Sequence, residues 1–177
     1  MRTKYATYLL FLLGFFLLIT IFRLQLDPSY LIFWIGGIIG VYLPDVDQLV
    51  YVYFLRPHEL SSVRAVKMIG KGQVKEASAF LRGTSVERSK LIFHSALFQI
   101  VFAAFAFLVV SSTGSLLGTG LVIGFLLHIL IDQLSDLMDR EKLDLWFSEV
   151  SIDLNKQQAT VYWFLNLSYL VMLGFVF

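Results

Sequence analysis

Residues 116–136 read LLGTGLVIGFLLHILIDQLSD, and this stretch decides the fold. One aspartate near the end is the only charged residue in positions 116–134. A helix that crosses the ~30 Å hydrocarbon core of a bilayer needs ~20 such residues at ~1.5 Å each. We therefore predict a membrane-spanning helix over 116–134. His128, Asp132 and Asp136 recur at every fourth position, which places them on one face of that helix.

The rest of the chain has the same apolar character. Hydrophobic residues make up 58% of the 177 residues, only 15% are charged, and the mean hydropathy is +0.76. Soluble domains carry about 25% charged residues, which is well above the fraction in this chain. We therefore expect membrane lipid to be the partner that surrounds most of the chain. The chain has no cysteine, which excludes disulfides, thiolate metal sites and a cysteine nucleophile. A net charge of +1 gives no reason to expect binding to nucleic acid.

Four further stretches complete a predicted all-α bundle of about five transmembrane helices. Three of them are long, namely 5–22, 91–110 and 160–177. The fourth, 30–43, would be ~21 Å long. Asp27 and Pro28 precede it as a predicted N-cap and first-turn proline, and we expect it to end at Leu43-Pro44-Asp45. The first stretch is predicted to be a retained helix, because no Ala-x-Ala-like cleavage site follows it.

The distribution of basic residues predicts the orientation of the bundle. Thirteen of the 14 Lys and Arg residues lie in segments 1–4, 44–90 and 135–159, and Arg23 is the exception. Basic residues concentrate on the cytoplasmic side of membrane proteins. This pattern predicts a multi-pass protein of the plasma or inner membrane, with a cytoplasmic N-terminus and an external C-terminus.

The segment at about 56–88 is predicted to be a cytoplasmic insert within a single membrane domain that covers residues 1–177. Its apolar residues recur with helical spacing on either side of Gly70-Lys71-Gly72. This spacing predicts two short amphipathic helices that lie on the membrane face.

Several other features are predicted to have structural roles only. Gly36-x-x-x-Gly40 and Gly120-x-x-x-Gly124 have the spacing that allows two helices to pack closely. His58 is interpreted as a surface histidine within a charged segment. The three tryptophans, Trp34, Trp146 and Trp163, are interpreted as interfacial anchors or lipid-facing side chains.

Six acids and histidines are predicted to meet at the cytoplasmic ends of three spans: Asp45, Asp47, His94, His128, Asp132 and Asp136. Such groups are costly in lipid unless they are paired, hydrated or bound to an ion. Imidazole nitrogen with carboxylate oxygen, and without sulfur, suits Zn²⁺, Mn²⁺ or Fe²⁺. The sequence therefore predicts a divalent metal site at this membrane face.

The predicted roles divide these residues into ligands and reacting groups. The predicted metal ligands are Asp45, Asp47, His94, His128 and Asp132. Whichever of Asp47 and Asp136 does not coordinate the metal would be the catalytic general acid or base. Arg88 and Lys90, which lie just outside the cluster in sequence, would hold an anionic head group.

These residues also give the chain a resemblance to the YdjM-type family of membrane-bound metal-dependent hydrolases. The matching elements are Leu43-Pro44-Asp45-Val46-Asp47, His94-Ser95 and His128-Ile129-Leu130-Ile131-Asp132, within residues 30–136. Ser89 and Gln48 stand where the family often has histidine, and Phe93 stands where it has threonine. The resemblance implies hydrolysis at the cytoplasmic membrane face, on a phosphoester or lipid-linked substrate.

Two other functional classes compete with this hypothesis. The polar cluster could serve only to pack helices in a non-enzymatic membrane protein, either a homo-oligomer or a subunit of a larger complex. An ion or proton carrier would need polar groups that continue through the outer halves of the spans. Those halves offer little beyond Ser, Thr and Gln99, so a carrier is the least favoured class.

Overall fold

Eight α-helices make up the described part of this computed structural model, which covers residues 2–84, 91–112, 114–150 and 152–175. They are α1 Arg2–Phe22, α2 Leu31–Tyr42, α3 Val46–Val50, α4 Leu60–Gly70, α5 Val74–Gly83, α6 Ala96–Ser112, α7 Leu116–Arg140 and α8 Lys156–Phe175. The predicted all-helical class is confirmed. α7 is the central helix, and α1, α2, α6 and α8 all pack against it.

The contact between α2 and α7 is the most extensive in the fold and depends on glycine. A Cβ atom at Gly40 would overlap the carbonyl oxygen of Leu121, and one at Gly124 would overlap the carbonyl oxygen of Gly37. The two backbones therefore touch directly, as the glycine spacing in the sequence predicted. This close approach positions the C-terminal half of α7 beside the residues that follow α2.

The helical path that begins at Pro28 changes at the predicted place, because α2 ends at Tyr42. Asp27 caps its start by accepting a hydrogen bond from the Ser29 backbone nitrogen at 2.7 Å, as expected. Pro44 lies in a 3₁₀ turn, and the chain continues through α3 into a π-helical turn that ends at Leu55. The prediction that the helix ends at Leu43-Pro44-Asp45 is therefore confirmed, and a separate helical segment follows it. Proline is tolerated in the first turn of a new helical segment, because the backbone N–H groups of that turn have no hydrogen-bond partner within the helix.

α6 begins later than the sequence pattern predicted. The expected span started at residue 91, whereas the helix starts at Ala96. Ser95 explains the difference, because its hydroxyl oxygen accepts a hydrogen bond from the Phe98 backbone nitrogen at 3.2 Å, as an N-cap does. His94 therefore lies in the segment that leads into α6, rather than one turn inside the helix.

The insert forms two short helices, α4 and α5, as predicted. They are separated by residues 71–73, and Gly72 has a left-handed φ of 76°. Their apolar faces pack on the π turn, where Val52, Ala65 and Leu81 are buried together. The insert is thus held against the rest of the protein through its apolar side chains.

Two helical stretches of the described chain, Pro28–Leu55 and Leu116–Arg140, are long and apolar enough to cross a membrane. Ala6–Phe22 and Ala96–Ser112 are also apolar but shorter. By length and composition, the structure therefore supports two of the predicted spans. The count of about five and the orientation stay predictions.

Candidate metal centre

Two histidines and one aspartate converge at the C-terminal half of α7. His128 and Asp132 are successive residues on one face of α7, and His94 approaches from the start of α6. The Nε2 atoms of His94 and His128 lie 3.3 Å and 3.2 Å from the same atom, Asp132 Oδ2. The three side chains have potential ligand atoms that all lie within 4.8 Å of one another, so this group could hold a metal ion.

The two short separations match those between the ligands of a tetrahedral ion. Ligand atoms ~2.0 Å from Zn²⁺ in a tetrahedron are ~3.3 Å apart. The side chains of His94 and Asp132 are each 15% exposed, whereas that of His128 is fully buried. Three protein ligands with one accessible side form the type of site in which a metal keeps a position for water or substrate.

The orientation of His128 is fixed by the backbone of α2. Its Nδ1 atom lies 2.6 Å from the carbonyl oxygen of Val41, which can only accept a hydrogen bond, so Nδ1 carries the proton. In the neutral ring, the Nε2 lone pair then points toward Asp132. Nε2 is buried and has no hydrogen-bond partner among the described residues. A positive charge between this nitrogen and the carboxylate, either a proton on Nε2 or a metal ion, would satisfy both groups.

Asp47 contacts the Nδ1 side of the His94 ring. The Nδ1 atom of that ring lies 3.4 Å from Asp47 Oδ2, and its Nε2 atom faces Asp132. Asp47 is itself fully buried and accepts hydrogen bonds from the backbone nitrogens of Ile92 and Phe93, at 3.1 Å and 2.6 Å. Both imidazoles thus have Nδ1 bound to an oxygen and Nε2 directed at the site, which is the usual arrangement of metal-ligating histidines.

The charge of His94 depends on its two carboxylate neighbours. Burial lowers its pKa, but the hydrogen bonds to Asp132 and Asp47 outweigh this effect and raise the pKa to about 9. The carboxylates of Asp47 and Asp132 therefore favour a positive charge at the position between them. A divalent metal ion would compete with the proton for that position.

Tyr8 is a site residue that the sequence did not indicate. Its hydroxyl donates a hydrogen bond to Asp132 Oδ1, and its ring stacks on His128 with centroids 4.3 Å apart and planes 13° from parallel. The residue is buried within the apolar α1. It is one of eight tyrosines, and its spacing relative to other polar residues does not distinguish it from the rest. Its place in the site becomes apparent only from the packing of α1 on α7.

Trp146 has a different role from the one predicted. It is 2% exposed, and its ring lies 5.5 Å from that of His94. Its Nε1 atom donates a hydrogen bond to Asp136 Oδ2 at 2.9 Å, and Asp136 Oδ1 lies 4.0 Å from Arg140. The interpretation as an interfacial anchor was wrong, because the loop that follows α7 folds back and buries the indole beside the site.

The remaining predicted site residues lie around the group of three. Asp47 contacts His94 from the side opposite to Asp132, and Asp136 is one helical turn beyond Asp132. Asp45 lines a separate pocket of about 210 Å³ between the residues after α2 and helices α4 and α5. The predicted head-group residues Arg88 and Lys90 lie outside the described part of the chain. His58 is exposed, as predicted.

The fold and this group define an all-helical protein with membrane-like helices and a buried His/Asp cluster that could hold a metal ion. Comparison of the chain with known protein families, with curated proteins and with solved structures found no match.

Proposed function

We propose that this protein is a membrane-bound, metal-dependent hydrolase that acts at the cytoplasmic face on a phosphoester or lipid-linked substrate. The observation that carries the proposal is the convergence of His94 Nε2 and His128 Nε2 on one oxygen of Asp132. The ligands would be these three residues. A Zn²⁺, Mn²⁺ or Fe²⁺ ion held by them would supply Lewis acidity toward a phosphoryl or acyl oxygen and activate water.

Asp47 and Asp136 receive separate roles in this proposal. Asp47 is buried and its oxygens accept hydrogen bonds from backbone nitrogens, so it orients His94 rather than exchanging protons with a substrate. Asp136 has a side chain that is 28% exposed and lies one turn from Asp132 on the same face of α7. Asp136 is therefore our candidate for the general acid or base.

The membrane location and the count of about five spans form part of the proposal. Bulky apolar side chains are exposed on the three helices that are not candidate spans by length and hydropathy, as shown by Ile21 on α1, Ile100 on α6 and Leu165 on α8. Each of these three is more than 60% exposed. Large contiguous apolar surfaces are unfavourable in water, and lipid is the solvent that suits them. The basic segments then favour a cytoplasmic N-terminus.

Membership of the YdjM-type family is likewise a proposal. Its support is that two of the matching elements, His94-Ser95 and the His128-to-Asp132 element, supply all three members of the group. The third element supplies Asp47, which contacts His94.

Metal analysis of the detergent-purified protein tests the site. We expect about one equivalent of Zn²⁺ or Mn²⁺ in the parent protein and a loss of binding in His128→Ala and in Asp132→Asn. His58→Ala is the matched control, because it removes the exposed third histidine of the chain. Unfolding temperature and gel filtration must show that each variant is folded. A parent protein that takes up no ion from added Zn²⁺ or Mn²⁺ would overturn the proposal.

Hydrolysis is tested separately with bis(p-nitrophenyl) phosphate and with a lipid phosphoester. Metal-loaded parent protein should release product, and Asp136→Asn should slow this release while it still binds the metal. Binding without any turnover would support the alternative of a structural membrane subunit. One contact favours that alternative, since Asp132 joins α1 to α7 through Tyr8 without any ion.

A further inference from the structure

The surface between α1, α7 and α8 contains an apolar groove of about 540 Å³. Its walls are formed by apolar side chains that include Leu10, Phe11, Ile131, Trp163 and Leu167. Trp163 is fixed there by a hydrogen bond of 2.9 Å from its Nε1 atom to the carbonyl oxygen of Leu130.

Gly14 is one of the lining residues of the groove. A Cβ atom at Gly14 would meet nothing within 4 Å, in contrast to Gly40 and Gly124, where a Cβ would strike the backbone of the neighbouring helix. A glycine within a helix costs about 1 kcal/mol relative to alanine. Helix packing does not explain this glycine, whereas space for an occupant of the groove does.

The groove begins beside the His/Asp group. On α1, its lining residues Leu10 and Phe11 directly follow the turn that holds Tyr8, which contacts Asp132. On α7, the lining residue Ile131 is the sequence neighbour of Asp132. From this end the groove follows α1 for eight residues to Leu18, or ~12 Å, which is most of one leaflet of a ~30 Å core.

We infer that this groove binds one acyl chain of a lipid with an anionic phosphate head group, and that the head group lies beside His94, His128 and Asp132. An uncharged apolar wall complements the chain, and its length matches one leaflet. In the sequence, Arg2 and Lys4 stand at the start of α1, the end that would adjoin the head group, and basic residues near a membrane surface favour anionic lipids. The inference rests on the proposed function, since it names the lipid phosphoester as the substrate class.

Quenching of tryptophan fluorescence tests the inference, because Trp163 lines the groove. The probe is phosphatidic acid with brominated acyl chains, added in small mole fractions to the metal-loaded protein in detergent micelles. We expect saturable quenching that Trp163→Phe abolishes. Gly14→Leu fills the groove and should raise the half-saturating lipid fraction by at least about tenfold. Leu13→Phe is the control and should stay within about twofold of the parent, since Leu13 is outside the lining.

Each contrary outcome has a distinct meaning. Quenching that does not saturate, or that is equal in Gly14→Leu, overturns the inference. A change of oligomeric state in Gly14→Leu would show that a second copy occupies the groove and would also overturn it. Metal binding without saturable quenching rejects the groove alone. Saturable quenching in a protein that binds no metal rejects the hydrolase proposal and leaves the acyl-chain site standing.

Discussion

The Nδ1 atom of His128 donates a hydrogen bond to the carbonyl oxygen of Val41 across the contact between α7 and α2, at 2.6 Å. This bond fixes the ring so that Nε2 faces Asp132, and it depends on the close approach of the two backbones at their glycines. The glycine contact between α2 and α7 and the orientation of the His128 ring therefore depend on each other. The contact between α2 and α7 thus positions the His128 side chain.

Asp47 gives the first prediction, because the structure assigns it a contact with His94 rather than a place in the group of three. Asp47→Asn keeps the shape of the side chain but removes its charge. Loss of such a partner typically lowers metal affinity by about 10–100-fold. Titration with Zn²⁺ should show this decrease. Asp139→Asn, an exposed change on α7, should bind like the parent.

The contrary results are informative for Asp47. Binding as weak as in Asp132→Asn would identify Asp47 as a direct ligand, which is the role first predicted from the sequence. Unchanged binding would show that the contact with His94 does not influence the metal.

Tyr8→Phe should destabilise the protein while it leaves the stack on His128 in place. The variant removes the hydroxyl that donates to Asp132, and a hydrogen bond to a charged group contributes about 1.5–3 kcal/mol. Thermal unfolding in detergent should show a lower midpoint than for the parent. Tyr53→Phe is the control, since Tyr53 is 45% exposed and should unfold like the parent. Equal midpoints for both variants would mean that the contact between Tyr8 and Asp132 contributes nothing to stability.

Much of this arrangement could be predicted from the sequence, and the reasons are local. The i, i+4 spacing put His128 and Asp132 on one face of α7, and the glycine pairs predicted the contact with α2. These features depend on helical periodicity alone. His94 was placed in the right group, but inside a helix, since its neighbours are apolar and the capping role of Ser95 was missed.

The rest of the site depends on tertiary contacts that no local pattern encodes. Tyr8 lies 124 positions from its partner Asp132. Trp146 contacts Asp136 because the loop after α7 folds back onto that helix. The presence of a tryptophan in a loop does not by itself predict that the loop folds back.

Gly124→Ala should weaken the contact between α2 and α7. The added methyl would overlap the backbone of Gly37, so the helices must separate, and the loss should be about 1–3 kcal/mol. The measurement is unfolding in detergent. Gly14→Ala is the matched control, because its methyl meets open space and should leave stability unchanged or raise it. A stable Gly124→Ala with full metal binding would show that the glycine contact does not position His128.

The proposed orientation can be checked by cysteine labelling, because the chain has no cysteine of its own. Ser61→Cys in α4 and Asn155→Cys before α8 should react with a membrane-impermeant maleimide only after the cells are opened. Ser112→Cys, at the end of α6, should react in intact cells. These outcomes follow from the basic residues that surround the first two positions and are missing near the third. Labelling of Ser61→Cys in intact cells would reverse the orientation and would place the His/Asp group at the outer face, where a cytoplasmic substrate could not reach it.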